Sequence, residues 1–192
     1  MVDKSMSFRV PSFRSALAVT LVCGILGTSA ATNALAQQAA GAAPAAAATP
    51  IGKFGDWQAF EAGDGAKKVC FVISRPKERL PDTLKRDPAS FFITHRPGQG
   101  VKNEISMTVG FPMKEAQDAT IKVGTASFNM FTKDANAWVR NVTDEPTLLN
   151  AMRKGKSLTF VAVSRRGNTS TDNYSLSGLS DALDAITQSC GG

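Results

Sequence analysis

Seven short runs rich in β-branched and aromatic residues constrain the fold of this chain more than any other feature. Gly, Pro, Asn and Asp fall between the runs, which is typical of short strands joined by turns. Parallel strands need helical crossovers, and most of the links are too short to contain them. The sequence therefore predicts a mainly β protein, an antiparallel β-sandwich of about eight strands. The runs are VCFVISR from Val69, SFFITHR from Ser90, NEISMTVGF from Asn103, ATIKV from Ala119, ASFNMFT from Ala126, AWVRNV from Ala137 and SLTFVAVSR from Ser157.

Two helices are predicted beside these strands. The first covers TDEPTLLNAMRKG, where Thr143 or Asp144 is the expected cap, a proline lies in the first turn and a glycine follows the exit. The second covers the C-terminal DALDAITQSC, with Ser180 as its expected cap and Leu183 and Ile186 on an inward face. The predicted architecture is thus a sandwich with two short helices, the second at the C terminus.

Residues 1–36 have the parts of an export signal. A basic start precedes the apolar run SALAVTLVCGILGTSAA, and the ALA that ends at Ala36 fits the small-x-small rule for cleavage before Gln37. We therefore expect a signal peptide and a periplasmic protein, outer-membrane associated or secreted as alternatives, that meets the membrane only during export. An uncleaved anchor over residues 15–32 stays open, because that stretch is just long enough to cross a bilayer of about 30 Å.

Loss of the signal changes how the three cysteines are interpreted. Cleavage removes Cys23 and leaves Cys70 and Cys190, and an isolated pair in an oxidising compartment normally forms a disulfide. Such a bridge closes a loop of about 120 residues, for which the chain-entropy relation gives about 4–5 kcal/mol. With His95, the single histidine, the two cysteines have neither CxxC nor HxxxH spacing, so no metal site is predicted.

Composition divides the rest of the chain into a linker and a domain. Residues 37–50, QQAAGAAPAAAATP, are uncharged and rich in Ala and Pro, which is typical of a flexible linker, and residues 51–192 suit one domain. The net charge falls from +6 to +4 when the signal is removed. The basic residues of SRPKERLP, TLKRDP and SRRGN are not interleaved with aromatics, so we expect solvated loops there and no nucleic-acid partner.

Six collinear blocks resemble those of a known family. They are FGDW from Phe54, KKVCF from Lys67, THRPGQGVKNEISMTVGFP from Thr94, FNMFTKDANAWVRN from Phe128, AMRKGKSLTF from Ala151 and SRRGNTSTDNYSLSGLSDALDAITQSC from Ser164. The chain is similar in these blocks to the invasion-associated locus B proteins of alphaproteobacteria. The resemblance implies an exported domain with an immunoglobulin-like β-sandwich and a contribution to host-cell interaction or invasion. It supplies no catalytic residues for these positions.

An enzymatic interpretation depends on His95. Ser–His or Cys–His chemistry must use this histidine, and a nucleophile must lie within hydrogen-bond reach of it. His95 ends a strand-like run beside Arg96 and Pro97, a position that favours a structural role, and neither a Gly-rich phosphate loop nor an HExxH motif is present. We therefore predict a non-enzymatic protein without catalytic residues or cofactors. A hydrolase that uses His95 is the alternative from another class.

The stretch RRGNTSTDNYSLSG brings many polar side chains together. If it forms a hairpin, alternate residues share one face, and that face suits a protein or glycan partner. The structural alternative is that Gly167 and Asn168 make the turn while Tyr174 and Leu176 bury the opposite side. The candidate binding face consists of Arg165, Arg166, Asn168, Thr169, Thr171 and Asn173.

These features predict an exported, non-enzymatic binding module in the periplasm or at the cell surface. Its expected partner is a protein or glycan in the envelope or on a host cell. The rival hypothesis is an envelope-maintenance or stress protein of the same fold with a partner inside the periplasm. The two differ in where the partner lies, which the sequence does not encode.

Overall fold

The strands and helices follow one another with short connections. A computed structural model describes residues 47–191. The strands are β1 (Thr49–Phe54), β2 (Trp57–Ala62), β3 (Val69–Ser74), β4 (Glu78–Leu80), β5 (Ser90–Arg96), β6 (Val101–Thr108), β7 (Ala119–Val123), β8 (Ala126–Lys133), β9 (Asn136–Val139), β10 (Ser157–Val163) and β11 (Thr169–Ser175). The helices are α1 (Glu145–Lys154) and α2 (Leu179–Cys190).

All seven predicted runs form strands, namely β3 and β5 to β10, and the hairpin interpretation of the polar stretch is correct for β10 and β11. Three strands were not predicted, which are β1, β2 and the three-residue β4. Every strand pairing is antiparallel. The predicted class, mainly antiparallel β with two helices and the second at the C terminus, is confirmed.

The two layers of the sandwich come from one hydrogen-bonded sheet. Its strand order is β1-β2-β3-β5-β6-β9-β8-β7-β10-β11-β4. The Phe91 ring of β5 lies 5.7 Å, centroid to centroid, from the rings of both Trp57 in β2 and Tyr174 in β11. Since β5 and β11 are far apart in this order, the sheet must fold over so that its two halves face each other. Aromatic side chains therefore fill the space between the layers, where they contribute most to packing.

Helix α1 begins and ends close to its predicted bounds. Asp144 stands at the N-cap position, but its carboxylate does not cap the backbone and instead accepts a hydrogen bond of 3.3 Å from Asn141 Nδ2. Leu148, Leu149 and Met152 share the buried face, as the spacing predicts. Neither helix within residues 47–191 is long and apolar enough to cross a membrane.

The predicted cap of α2 was wrong by two residues. The helix begins at Leu179, so Ser180 lies inside its first turn, and Gly178 occupies the N-cap position with φ of +85°. A Cβ on Gly178 would lie 2.1 Å from the carbonyl oxygen of Phe54, so close backbone contact with the β1–β2 turn excludes any side chain there. The inward face predicted from Leu183 and Ile186 is buried.

The domain begins earlier than the expected residue 51. Thr49 and Pro50 lie in β1 and pair with Glu61 and Phe60, so the predicted linker over residues 37–50 extends too far by these two residues. A proline is tolerated here because β1 is an edge strand and one of its sides needs no donors. The predicted signal over residues 1–36 and the rest of the linker up to residue 46 lie outside the described residues.

Helix α2 is joined to β3 by the predicted disulfide. Cys70 and Cys190 are bonded, with Cα atoms 6.0 Å apart and 120 positions between them in sequence. Beside the bridge, Lys68 Nζ donates a 2.7 Å hydrogen bond to the Ser189 carbonyl and forms a 3.1 Å ion pair with Glu61. The Ser189 hydroxyl donates to the same Glu61 carboxylate. These five residues are called the clamp below.

Candidate functional site

A cleft opens beside the hairpin formed by β10 and β11. Its volume is about 600 Å³, and it is lined by residues 84–87, residues 110–112 and the turn between the two strands. The buried Ser170, on the inward side of β11, also lines it. Both the size and the mixture of polar and apolar groups fall in the range usual for small-molecule sites. This site is called the basic cleft below.

The candidate polar face divides between this cleft and the outer side of the sheet. Arg165, Arg166 and Asn168 line the basic cleft. Thr169, Thr171 and Asn173 alternate with the buried residues of β11, which confirms that they share one face. The structure therefore brings only half of the predicted set together at one site.

Asn173 already has its hydrogen bonds within the sheet. Its Oδ1 accepts 2.8 Å from Thr159 Oγ1, and its Nδ2 donates 2.8 Å to Glu78 Oε2 on the neighbouring β4. Thr171 is paired with Leu80 of the same short strand. This part of the candidate face therefore stabilises the edge of the sheet, in agreement with the structural interpretation of the stretch.

A buried ionic group lies next to the basic cleft. Asp172 Oδ1 accepts 2.9 Å from Arg86 Nη1, and Asp172 Oδ2 accepts 3.3 Å from Arg79 Nε. The side chains of Asp172, Arg86 and Arg79 are 1%, 5% and 22% exposed. Burial raises the pKa of the Asp172 carboxyl, and the two guanidinium groups oppose that shift. These three residues are called the ionic anchor below.

The ionic anchor corrects one sequence prediction. Arg79 and Arg86 come from the basic loops SRPKERLP and TLKRDP, which were expected to be solvated. They are instead drawn inward because Asp172 occupies an inward position on β11, where an unpaired carboxylate would be very costly. The signal that could have indicated this was the alternation around Asp172, which places an acidic residue on the same side as Ser170 and Tyr174.

Positive charge around the basic cleft is only partly neutralised. Arg86 is paired with Asp172, and Arg165 Nη2 lies 3.1 Å from Glu115 Oε1. Within the described part of the chain, Lys85 and Arg166 form no ion pair at all. The cleft therefore presents two uncompensated cations to whatever enters it, beside one exposed carboxylate, that of Asp87.

Two buried hydroxyls on β11 lack partners. Ser170 is 2% exposed and Tyr174 is 1% exposed, and neither Ser170 Oγ nor Tyr174 Oη has a hydrogen-bond partner within residues 47–191. Burial, with the nearby charge of Asp172, raises the pKa of the Tyr174 phenol, so this group stays protonated. Of the two, only Ser170 lines the basic cleft. Its hydroxyl is therefore a buried hydrogen-bonding group in the wall of the cleft, and it has no partner within residues 47–191.

His95 is buried and hydrogen-bonded to another side chain of the fold. It is 3% exposed on the inward side of β5, and its Nε2 lies 2.8 Å from Asn103 Oδ1. It does not line the basic cleft. Burial lowers the pKa of the imidazole below its usual value, which keeps the ring neutral. The position is that of a structural histidine.

Metal ligation finds no support among the described residues. Cys70 and Cys190 are used in the disulfide, and within residues 47–191 no group of three or more His, Cys, Asp and Glu side chains is placed to hold an ion.

A second cleft of about 530 Å³ lies on the outer side of β2 and β3. The Phe60 and Phe71 rings stack there at 5.4 Å, and the exposed Lys53 is among the cleft's basic residues. Trp138 is half-buried on the outer side of β9, where its ring lies 6.2 Å from that of Phe131. The volume of this outer cleft is similar to that of the basic cleft, but none of its lining residues in the described part of the chain has a buried hydroxyl without a hydrogen-bond partner.

The sequence and the fold were each compared with those of known proteins, and the two results agree. The sequence profile described as "Invasion associated locus B (IalB) protein" matches residues 57–187. Curated proteins gave no match. The fold is similar to the crystal structure of invasion associated protein B from Bartonella henselae, with 16% identity, a TM-score of 0.53, and coverage of 75% of this chain and 99% of that chain. At this identity the structural match shows the fold alone.

The region matched by the profile contains the whole site. It runs from the start of β2 into α2, and so includes both layers of the sandwich, the ionic anchor and every residue of the basic cleft. It is also well over half of the 192 residues. The resemblance seen in the six sequence blocks is thereby confirmed, and the chain belongs to the invasion associated locus B family.

Proposed function

We propose that this protein is an exported, non-enzymatic binding module that uses the basic cleft to hold a component of the cell envelope or of a host cell. The observation that carries the proposal is the buried Ser170 hydroxyl, which has no partner among the described residues and lies in a cleft with uncompensated positive charge. Buried polar groups in native proteins are nearly always hydrogen-bonded, so an unpaired hydroxyl in the wall of a cleft is a place where a ligand can supply the partner.

The chemistry of the cleft supports binding more than catalysis. Nucleophilic catalysis by the cleft's buried hydroxyl would need a base within hydrogen-bond reach, and Ser170 Oγ has no hydrogen-bond partner within residues 47–191. The Bartonella henselae protein of similar fold is described as invasion associated. That description supports a role for this chain at the cell surface, facing either a host or the cell's own envelope.

Site-directed photocrosslinking in living cells tests the proposal. A photoreactive residue in place of the exposed, cleft-lining Asn168 should form a discrete adduct, whereas the same residue in place of Lys53 in the outer cleft should not. Equal adducts from the two positions, or none from either, would reject the basic cleft as the site. Fractionation of the same cells tests export, because recovery in the cytosol contradicts it, and it shows whether the adduct faces the periplasm or the outside.

The hydrolase alternative is tested by replacing the histidine. His95→Gln retains a polar side chain that can contact Asn103, so the variant should fold and still form the Asn168 adduct. A folded His95→Gln variant that loses all cellular function but keeps the adduct would favour catalysis over binding.

A further inference from the structure

We propose that the basic cleft binds a phosphorylated sugar, an inference that rests on the proposed function and specifies its ligand class. The cleft has three features, and neither an inorganic ion nor a neutral sugar would match all of them. These are two uncompensated cations, isolated polar groups suited to hydroxyls, and an apolar wall.

The charge of the cleft matches a phosphate monoester. Lys85 and Arg166 line the cleft and form no ion pair within residues 47–191, whereas Arg165 is paired with the exposed Glu115. A phosphate monoester carries about −1.5 to −2 charges at neutral pH and three strong acceptor oxygens. Arginine and lysine at one site bind such a group through several charge-assisted hydrogen bonds. A carboxylate ligand would neutralise only one of the two free cations.

The polar groups favour a sugar over a bare anion. The exposed carboxylate of Asp87 makes the cleft less suited to a bare polyanion, and it is a good acceptor for sugar hydroxyls. The Ser170 hydroxyl can donate to a phosphate oxygen or accept from a sugar hydroxyl, and Asn168 at the rim can do both through its amide. Recognition of hydroxyls explains why an acidic side chain is present in an otherwise basic site.

The apolar wall provides a surface for the carbon side of a sugar ring. Leu84, Phe111 and Pro112 line the cleft, and Phe111 is only half-buried against the core. The volume of about 600 Å³ is far larger than a phosphate ion needs and lies within the range for small organic ligands. An inorganic ion would leave this wall in contact with water.

Hydrogen bonds within the chain hold the lining segments of the cleft together. Arg79 donates 2.7 Å to the Asp87 carbonyl and 2.9 Å to the Val109 carbonyl, and Asp87 N donates 3.1 Å to the Gly110 carbonyl. A Cβ on Gly110 would lie 2.0 Å from the Asp87 carbonyl oxygen, so only glycine permits this approach of the two lining segments. A preformed site lowers the entropy lost when a ligand binds.

Titration calorimetry on the full-length chain tests this ligand class. Glucose 1-phosphate should bind at least about tenfold more tightly than either glucose or inorganic phosphate. Arg166→Glu and, separately, Ser170→Ala should each weaken this binding about tenfold. Lys53→Glu changes the net charge of the protein by the same amount as Arg166→Glu but acts in the outer cleft, so it should leave the affinity within about twofold.

Binding to lipid vesicles distinguishes a sugar phosphate that is a lipid headgroup from one that is a soluble molecule. Phosphatidylcholine vesicles that contain lipid A present a sugar phosphate as a lipid headgroup, and vesicles without it are the control. Binding only to the lipid A vesicles, displaced by glucose 1-phosphate, assigns the ligand to a membrane glycolipid. Binding to glucose 1-phosphate without vesicle binding assigns it to a soluble sugar phosphate.

The proposal would be overturned if the protein binds neither glucose 1-phosphate at millimolar concentration nor lipid A vesicles. It would also be overturned if Lys53→Glu and Arg166→Glu reduce the affinity equally. If the Asn168 photocrosslink still forms in that case, the proposed binding function stands and only the ligand class is wrong.

Discussion

The clamp and the ionic anchor attach short elements to the same sandwich by opposite chemistry. The clamp holds α2 to β3 with a disulfide, supported by the contacts of Lys68, Glu61 and Ser189, beside the buried apolar face of the helix. The ionic anchor holds the three-residue β4 to β11 through Asp172, which is the direct strand partner of Arg79. A covalent bond between buried residues needs nothing from its surroundings, whereas each desolvated charge must keep a partner.

The difference explains where the basic cleft is found. The arginines of the ionic anchor also shape the cleft, since Arg86 lines it and Arg79 fixes the Asp87 and Val109 carbonyls. No residue of the clamp lines it. One region therefore provides stability alone, and the other couples stability to the position of the groups that would meet a ligand.

Removal of the clamp disulfide should have the largest effect on stability. A Cys70→Ala and Cys190→Ala double variant should lose about 4–5 kcal/mol of unfolding free energy, because the bridge closes a very long loop of the unfolded chain. Urea unfolding followed by tryptophan fluorescence measures the loss. Reductant should destabilise the parent protein and leave the double variant unchanged. A loss below about 1 kcal/mol would mean that apolar packing of α2, and not the disulfide, holds this region.

Loss of the ionic anchor should have the second largest effect on the unfolding free energy. Asp172→Ala leaves two largely buried guanidinium groups without a counter-charge, so we expect a loss of about 3 kcal/mol. The matched control is Asp184→Ala, which breaks the exposed Arg153–Asp184 pair and should cost at most about 1 kcal/mol. Equal losses in thermal or urea unfolding would contradict the view that burial makes this group different from a surface ion pair.

These two regions differ in how much the sequence reveals of them. β3 and α2, which carry the two clamp cysteines, have clear apolar patterns, and Cys190 has a single possible partner if Cys23 is lost with the expected signal, so these two elements and the disulfide could be predicted. β4 has only three residues and pairs with a strand more than 90 positions later, which no local pattern can indicate. The polar stretch could be identified as a hairpin, but its division between the basic cleft and the outer face depends on the loops around residues 84–87 and 110–112.

Acid should weaken the region near the clamp through His95, which is paired with Cys70 across β3 and β5. The pKa of the folded imidazole is lowered by burial, so the unfolded chain takes up a proton first as the pH falls. The stability contributed by the neutral ring is present above about pH 6.5 and is lost as the pH drops below that value.

Comparison of the parent protein with His95→Gln isolates this effect, since unfolding free energies between pH 7 and pH 5 should fall less steeply in the variant. Glu145 acts in the opposite direction, because burial raises the pKa of its carboxyl, but it is common to both proteins and cancels in the difference. Parallel pH profiles would show that the imidazole is not the source of acid sensitivity.

The smallest expected effect has the opposite sign and tests the basic cleft itself. Ser170 and Ser74 are both 2% exposed, but Ser74 Oγ donates a 2.9 Å hydrogen bond to the Asp56 carbonyl, and Ser170 Oγ has no partner within residues 47–191. Ser74→Ala should therefore lose about 1 kcal/mol, whereas Ser170→Ala removes an unsatisfied hydroxyl and should gain up to about 1 kcal/mol. In a domain of this size each difference shifts the unfolding midpoint by about 2–4 °C, which calorimetry resolves.

A variant that is more stable but binds sugar phosphate less well would show that the hydroxyl is kept for its ligand at the expense of stability. If Ser170→Ala instead loses as much as Ser74→Ala, the hydroxyl already has a partner in the free protein, and the ligand is not needed to explain its burial.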